Sequence, residues 1–247
     1  MSAEVLVAVV AIAFLAATCQ SLTAFGFALV MVPLLSLAWE VKPAIVTSTV
    51  LGTLILLPLL YEVRDHIRPR RVVPLFLGSL VGIPLGLLVL RWLDASSLEV
   101  MVAVVVIVAA LLLYLSPQAP FKRSMPPLSF LVGGLSGALR AATSMGGPPV
   151  VLYILTFEQD VERFRATLLA FFFPTSLVTI VGLAVAGYVD GDILLATAIG
   201  LPAVVLGSLV GRWARVHVSE SAFRLVVLVV LLASSAAILA SGAGGLG

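Results

Sequence analysis

Thr143-Ser144-Met145-Gly146-Gly147-Pro148-Pro149 lies in the middle of an otherwise apolar stretch, residues 124–157, whose one charge is Arg140. Gly-Gly frees the backbone, and Pro is tolerated at a helix start because that N–H is unpaired anyway. A break is therefore predicted here, with a new helix beginning near Pro148. About thirty residues are too few for two full membrane crossings at roughly 20 residues each. They suffice for two half-length helices that meet at a tip near the bilayer middle.

The chain matches itself when shifted by about 120 residues, and the match supplies a second tip. Thr23 falls on Thr143, Gly26 on Gly146, Thr47 on Thr167, Gly86 on Gly207, and Arg91-Trp92 on Arg212-Trp213. The counterpart of the break is Gln20-Ser21-Leu22-Thr23-Ala24-Phe25-Gly26, with one Gly and no Pro. This weaker break leaves a bent pair of longer helices as the alternative to a true interruption.

Outward from the tips, the composition fixes the class. Hydrophobic residues make up 62% of the 247 and charged residues 11%, too few to cover a water-facing surface. Runs without charge span 5–39, 43–61, 72–90, 100–121, 166–189, 193–211 and 225–247. Each is long enough to cross a hydrocarbon core of roughly 30 Å as a helix. The expectation is an all-α polytopic membrane protein forming one integral domain. Repeat one covers about 3–117, a linker about 117–126, and repeat two about 126–243. Each repeat is a broken or re-entrant helix pair followed by three transmembrane helices. The start, Met1-Ser2-Ala3-Glu4, lacks the basic region of a signal peptide and is expected to be retained.

Charge sets the orientation, because short cytoplasmic loops collect Lys and Arg. Arg64, Arg68, Arg70 and Arg71, the linker pair Lys122 and Arg123, and Arg212, Arg215 and Arg224 are placed inside. Asp190 and Asp192 mark an outside turn, and the turn 91–99 with Asp94 and Glu99 also goes outside. The three spans of each half then run in opposite senses, so the two copies are inverted and both termini lie on the periplasmic side. In membrane proteins this pattern marks a transporter with its site between the copies.

Non-helical backbone at membrane depth is tolerated where it lines a cavity or is buried in protein. A helix N-terminus carries a partial positive charge and free N–H groups, which suit an anion. Gln20, Ser21, Thr23, Thr143 and Ser144 are neutral donors beside the two expected helix starts, at Gly26 and at Gly146-Gly147. Arg140 lies three residues before Thr143. Its charge is either an anion ligand or a side chain that snorkels to the cytoplasmic edge. Thr47, Ser48, Thr49 and Thr167 are weaker candidates, since hydroxyls in membrane helices often bond their own backbone. Gly78, Gly82 and Gly86, with Gly207 and Gly211, read as close-packing ladders.

Other chemistries find little footing. Cys19, the single cysteine, permits no internal disulfide and no cysteine-based metal cluster. His66 and His217 fall in loops. No basic run is interleaved with aromatics in the manner of a nucleic-acid reader. The expected partners are a small anion and the lipid bilayer, with a homodimer left open; neither enzyme activity nor a cofactor is expected.

The run from Gln20 to Leu35, together with Gly146–Tyr153 and Phe164–Phe171, resembles the signatures of the TauE/SafE sulfite exporter-like permeases. The resemblance covers nearly the whole chain. It implies a bacterial inner-membrane carrier exporting a sulfur-containing anion such as sulfite or sulfoacetate. By motif it makes Gln20, Thr23, Gly26, Gly146 and Gly147 site candidates. An uptake permease or a channel for another small anion, such as a carboxylate, is the alternative. No Asp or Glu falls inside any span, so export driven by membrane potential and the solute's own gradient is expected, through alternating access.

Overall fold

A computed structural model of the chain describes residues 1–115 and 125–217. The expected final span, 225–242, and most of the linker lie outside the described residues. Within them the fold is all-helical, with no strand. The helices are α1 (Ala3–Thr23), α2 (Phe27–Leu35), α3 (Val41–Val63), α4 (Pro69–Trp92), α5 (Ala95–Leu115), α6 (Pro126–Thr143), α7 (Gly147–Leu155), α8 (Val161–Val185) and α9 (Gly191–His217). Five of them, α1, α3, α4, α8 and α9, are long and apolar enough to cross a membrane. Large apolar side chains such as Leu15, Val81, Leu85, Leu131, Val181 and Leu206 face outward. An apolar exterior of this extent suits lipid and not water.

Both tips are true interruptions. Ala24 (φ 66°) and Ser144 (φ 65°) end α1 and α6 in the left-handed conformation, and α2 and α7 are each nine residues long. Two expectations are corrected. The first break is no weaker than the second, because Ala24 and Gly26 (φ 107°) turn the chain without proline. The hairpins are also lopsided rather than built of two half-length arms. At about 1.5 Å per residue, the 21 residues of α1 rise roughly 31 Å and the 18 of α6 roughly 27 Å. Nothing interrupts either first arm before its tip, so α1 reaches the length of a full crossing and α6 falls a little short of it, while α2 and α7 are far shorter.

Small residues hold the long helices together. α4 packs along α6, and α9 along α1. A Cβ on Gly78, Gly82 or Gly86 would strike the carbonyl oxygen of Phe130, Gly134 or Ala138. On the other pair, Gly207 lies on the Phe14 carbonyl and Gly211 on that of Thr18. Phe14 and Thr18 are the 120-residue counterparts of Gly134 and Ala138. Gly207 therefore takes the place of Gly82, not of Gly86 as the bare sequence match had it. The shift amounts to about one helical turn of α9 along α1 relative to α4 along α6. Thr18 adds a hydrogen bond of 3.1 Å from its hydroxyl to the Gly207 carbonyl.

The charged residues gather at the helix ends. Glu62 at the end of α3 accepts from Arg212 of α9 at 2.9 Å and lies 3.9 Å from Arg165 of α8. Arg165 also meets Glu162, and Arg71 of α4 pairs with the buried Glu158 after α7. Segments 62–71, 158–165 and 212 thus share one end of the bundle. The amino terminus of Met1 lies 3.7 Å from Asp192, which joins the starts of α1 and α9. Glu62→Gln should weaken the tie between α3, α8 and α9 while leaving the buried Arg165 without a full counter-charge. We expect a lower thermal midpoint in detergent, equivalent to about 1–3 kcal/mol.

Candidate functional site

The two breaks meet at a cavity. It is lined from the first half by Gln20, Phe25, Gly26, the first turn of α2, and Ser48, Thr49, Gly52 and Leu56 of α3; Arg140, Ser144, Met145, Gly147 and Phe172 line it from the second. Its volume of about 40 Å³ equals roughly three water molecules at about 10–15 Å³ each. A solute of a few heavy atoms is the right scale.

Each break is tied by the same local chemistry. The Thr23 hydroxyl donates to the Cys19 carbonyl at 3.0 Å and accepts from the Phe25 N–H. The Thr143 hydroxyl donates to the Leu139 carbonyl at 2.7 Å and accepts from the Met145 N–H. Ala24 and Ser144 donate their N–H groups to the carbonyls of Gln20 and Arg140. The two threonines are thus turn builders whose hydroxyls are already engaged, and neither lines the cavity.

Gln20 is likewise committed. Its amide donates to the Ala24 carbonyl at 3.1 Å and its oxygen accepts from the Phe27 N–H at 3.0 Å, bridging the first break and capping α2. It lines the cavity with both ends of its amide already in use. Gly26 needs its lack of a Cβ twice over: φ is positive, and a Cβ would come within 3.1 Å of the Cys19 sulfur.

In the second half the left-handed residue is Ser144, although glycines stand two and three positions on. Gly146 has φ −74° and is required by space instead, since a Cβ would meet the Ser136 carbonyl and the Arg140 Cβ. The Ser136 hydroxyl also donates to the Gly146 carbonyl. Gly147 begins α7 beside Phe25 and Phe172 and reaches the cavity.

The candidates therefore divide. Gln20, Gly26, Arg140, Ser144 and Gly147 come together at the cavity, while Ser21, Thr23, Thr143 and Gly146 stand behind it. The Ser21 hydroxyl is buried without a hydrogen bond, on the side of α1 that faces Gly211 of α9.

Arg140 dominates the electrostatics. It reaches the cavity and does not snorkel: its guanidinium donates to the Ser176 hydroxyl at 2.8 Å and lies 4.8 Å over the Phe172 ring. Its Nε is buried without a partner. Among the described residues Arg140 enters no ion pair, and no Asp, Glu or His lines the cavity. Beside it, the Ser144 hydroxyl lies 3.3 Å from that of Ser48. The N–H groups of Ala28 and Leu29, in the first turn of α2, have no acceptor within that helix. At α7 the second and third helical positions are Pro148 and Pro149, so that helix start offers few donors. The arrangement holds a lone cation with neutral donors around a small space, which suits an anion.

Ser176, Phe172 and Phe25 are site residues that sequence reasoning missed. Thr175-Ser176, a hydroxyl pair in an apolar run, was the available signal. Ser176→Ala should leave the fold intact and loosen the guanidinium. We expect a rise of about three- to tenfold in the apparent KM for a transported anion, with Ser176→Thr restoring most of it, measured by flux in liposomes.

The family profile described as sulfite exporter TauE/SafE matches residues 9–238. The chain is 28% identical over 178 residues to a protein of Cupriavidus necator described as a probable sulfite/organosulfonate exporter TauE; the match covers 71% of this chain and 70% of the relative. No solved structure matches. With the profile spanning nearly every residue from α1 onward, and two interrupted helices meeting in an apolar bundle, the chain belongs to the sulfite exporter TauE/SafE family, whose members are transporters and not enzymes.

Proposed function

We propose that the chain is a secondary transporter that exports a small sulfur-containing oxyanion or organosulfonate across the bacterial inner membrane, by alternating access between two inverted repeats. The observation that carries this reading is the cavity itself, where both helix breaks meet around a guanidinium that no carboxylate among the described residues neutralises.

The helix ends support the inversion. The first hairpin starts at the end of the bundle marked by Met1 and Asp192. The second closes at the other end, where Glu158 pairs with Arg71 and the Tyr153 hydroxyl accepts from the Met125 N–H at 2.9 Å. α3 and α8, which follow the hairpins, pack against each other between them. The basic residues Arg64, Arg68, Arg70, Arg71, Arg163, Arg165 and Arg212 favour the Glu158 end as the cytoplasmic one. The amino terminus then lies outside.

Rocking of one half against the other would expose the cavity to each side in turn. The driving force needs no protonatable carboxylate at the site. With the inside negative, each negative charge that leaves gains roughly 2.3 kcal/mol per 100 mV. The name of the Cupriavidus necator relative supports sulfite or an organosulfonate as cargo.

The test is a substrate-dependent current in liposomes carrying the purified protein, with sulfite as the first solute. A saturable outward anion flux that grows with membrane potential is expected. Flux without saturation or counterflow would identify a passive channel, and strictly electroneutral flux would overturn the potential-driven mechanism.

A further inference from the structure

We infer that the transported species carries a single negative charge, so that the site takes hydrogensulfite or a simple alkanesulfonate and rejects dianions of the same size, such as sulfate. This rests on the export reading and assigns the charge of the solute in that same cavity.

The charge inventory of the cavity is short. Among the described residues Arg140 is its one formally charged lining residue, and the other lining groups are neutral. The remaining bases and acids near the core are spent on one another at the bundle end, as in Arg71 with Glu158 and Arg165 and Arg212 with Glu62.

Helix dipoles do not add a second positive charge. Each break joins a helix C-terminus to a helix N-terminus. The partial charge of about −0.5 at the end of α1 lies beside about +0.5 at the start of α2, and the same holds for α6 and α7. The two contributions largely cancel at each tip. What remains of the first-turn donors is weighted to α2, since Pro148 and Pro149 carry no N–H.

Most neutral donors are also engaged. Gln20 clasps Ala24 and Phe27, while Thr23 and Thr143 close their own turns. Ser144 and Ser48, whose hydroxyls bond each other, and the Ala28 and Leu29 N–H groups are the donors left to serve a solute. One anionic charge makes the loaded cavity neutral. A second would leave a buried net charge in about 40 Å³, with little room for water beside the solute.

The comparison of methanesulfonate with sulfate isolates the charge, because the two ions share a tetrahedral shape and nearly the same size. In liposomes carrying the full chain, methanesulfonate should give a saturable current whose reversal potential moves about 59 mV per tenfold gradient, the value for one charge. Sulfate should show a kcat/KM at least a hundredfold lower. Sulfite flux should fall as pH rises and hydrogensulfite loses its proton. No acid, histidine or cysteine lines the cavity to imitate that effect, and the nearest thiol, Cys19, lies behind Gly26. Sulfoacetate, with its second acid group ionised, belongs with the disfavoured ions.

Sulfate carried within tenfold of methanesulfonate would overturn the inference, as would a slope of about 30 mV per tenfold gradient for any carried anion. Either result leaves the export reading standing. Absence of flux with every anion would overturn the export reading and the charge assignment together.

Discussion

Arg140→Ala is expected to cut anion transport at subsaturating solute roughly ten- to hundredfold while leaving the empty protein at least as stable as the parent. Among the described residues the guanidinium is the one charge at the cavity, and hydrogen bonds to a charged group are worth about 1.5–3 kcal/mol. Their loss weakens anion binding roughly ten- to hundredfold, at about 1.4 kcal/mol per factor of ten. The effect on stability runs the other way. Arg140 pairs with no carboxylate among the described residues, so its removal orphans none and relieves the burial of a charge. The hydroxyl of Ser176 keeps the alternative of bonding its own helix. Thermal unfolding with and without sulfite reads both effects at once. A variant less stable than the parent when empty, yet still stabilised by sulfite, would mean that Arg140 is a structural strut. Arg140→Lys keeps the charge but loses the planar fork and much of its contact with Phe172, and should retain a weakened response.

Gly82→Leu is expected to give the largest loss of folded protein. Its Cβ would occupy the space of the Gly134 carbonyl, a backbone atom that no rotamer change can move aside. α4 and α6 would have to separate along their whole contact, which Gly78 and Gly86 close on either side. Overpacking against side chains costs about 1–3 kcal/mol, and a rigid backbone neighbour puts this site at or above the upper figure. Gly134→Ala is the control. A Cβ there meets only the Gly78 carbonyl at 3.5 Å, an ordinary contact. Size-exclusion profiles in detergent should show Gly134→Ala as a single peak and Gly82→Leu as aggregate or no protein. Equal behaviour of the two would mean that the packing of α4 on α6 is not what holds the bundle.

The places where sequence reading succeeded and failed share one physical cause. Charge-free runs and the Gly-Gly-Pro-Pro stretch are local properties of the chain, so the long apolar helices among the described residues and the second break were legible. So was the first break's position, through the match of Thr23-Ala24-Phe25-Gly26 to its counterpart. Which residue carries the positive φ was not. Glycine was the natural choice in the second half, but the hydrogen bond from the Ser144 N–H to the Arg140 carbonyl placed the turn two residues earlier. That the polar groups of Gln20, Thr23 and Thr143 are engaged in closing the turns was not legible for a related reason. A hydroxyl or amide beside a helix end can face a solute or close the turn, and only the geometry decides. Ser176 and Phe172 stayed hidden because they meet Arg140 from α8, across a gap that no periodicity reports. The register of Gly207 is set by which carbonyl of α1 it meets, which a self-match of residue identities does not weigh.

The lone guanidinium on α6 also bears on how such a carrier diversifies. Both turns are held by threonine, glutamine and backbone groups, and among the described residues a single codon supplies the charge that lines the chamber. Under the proposed function, a replacement at position 140 would change the preferred solute without rebuilding the scaffold. Architecture and cargo preference are in that sense separately heritable.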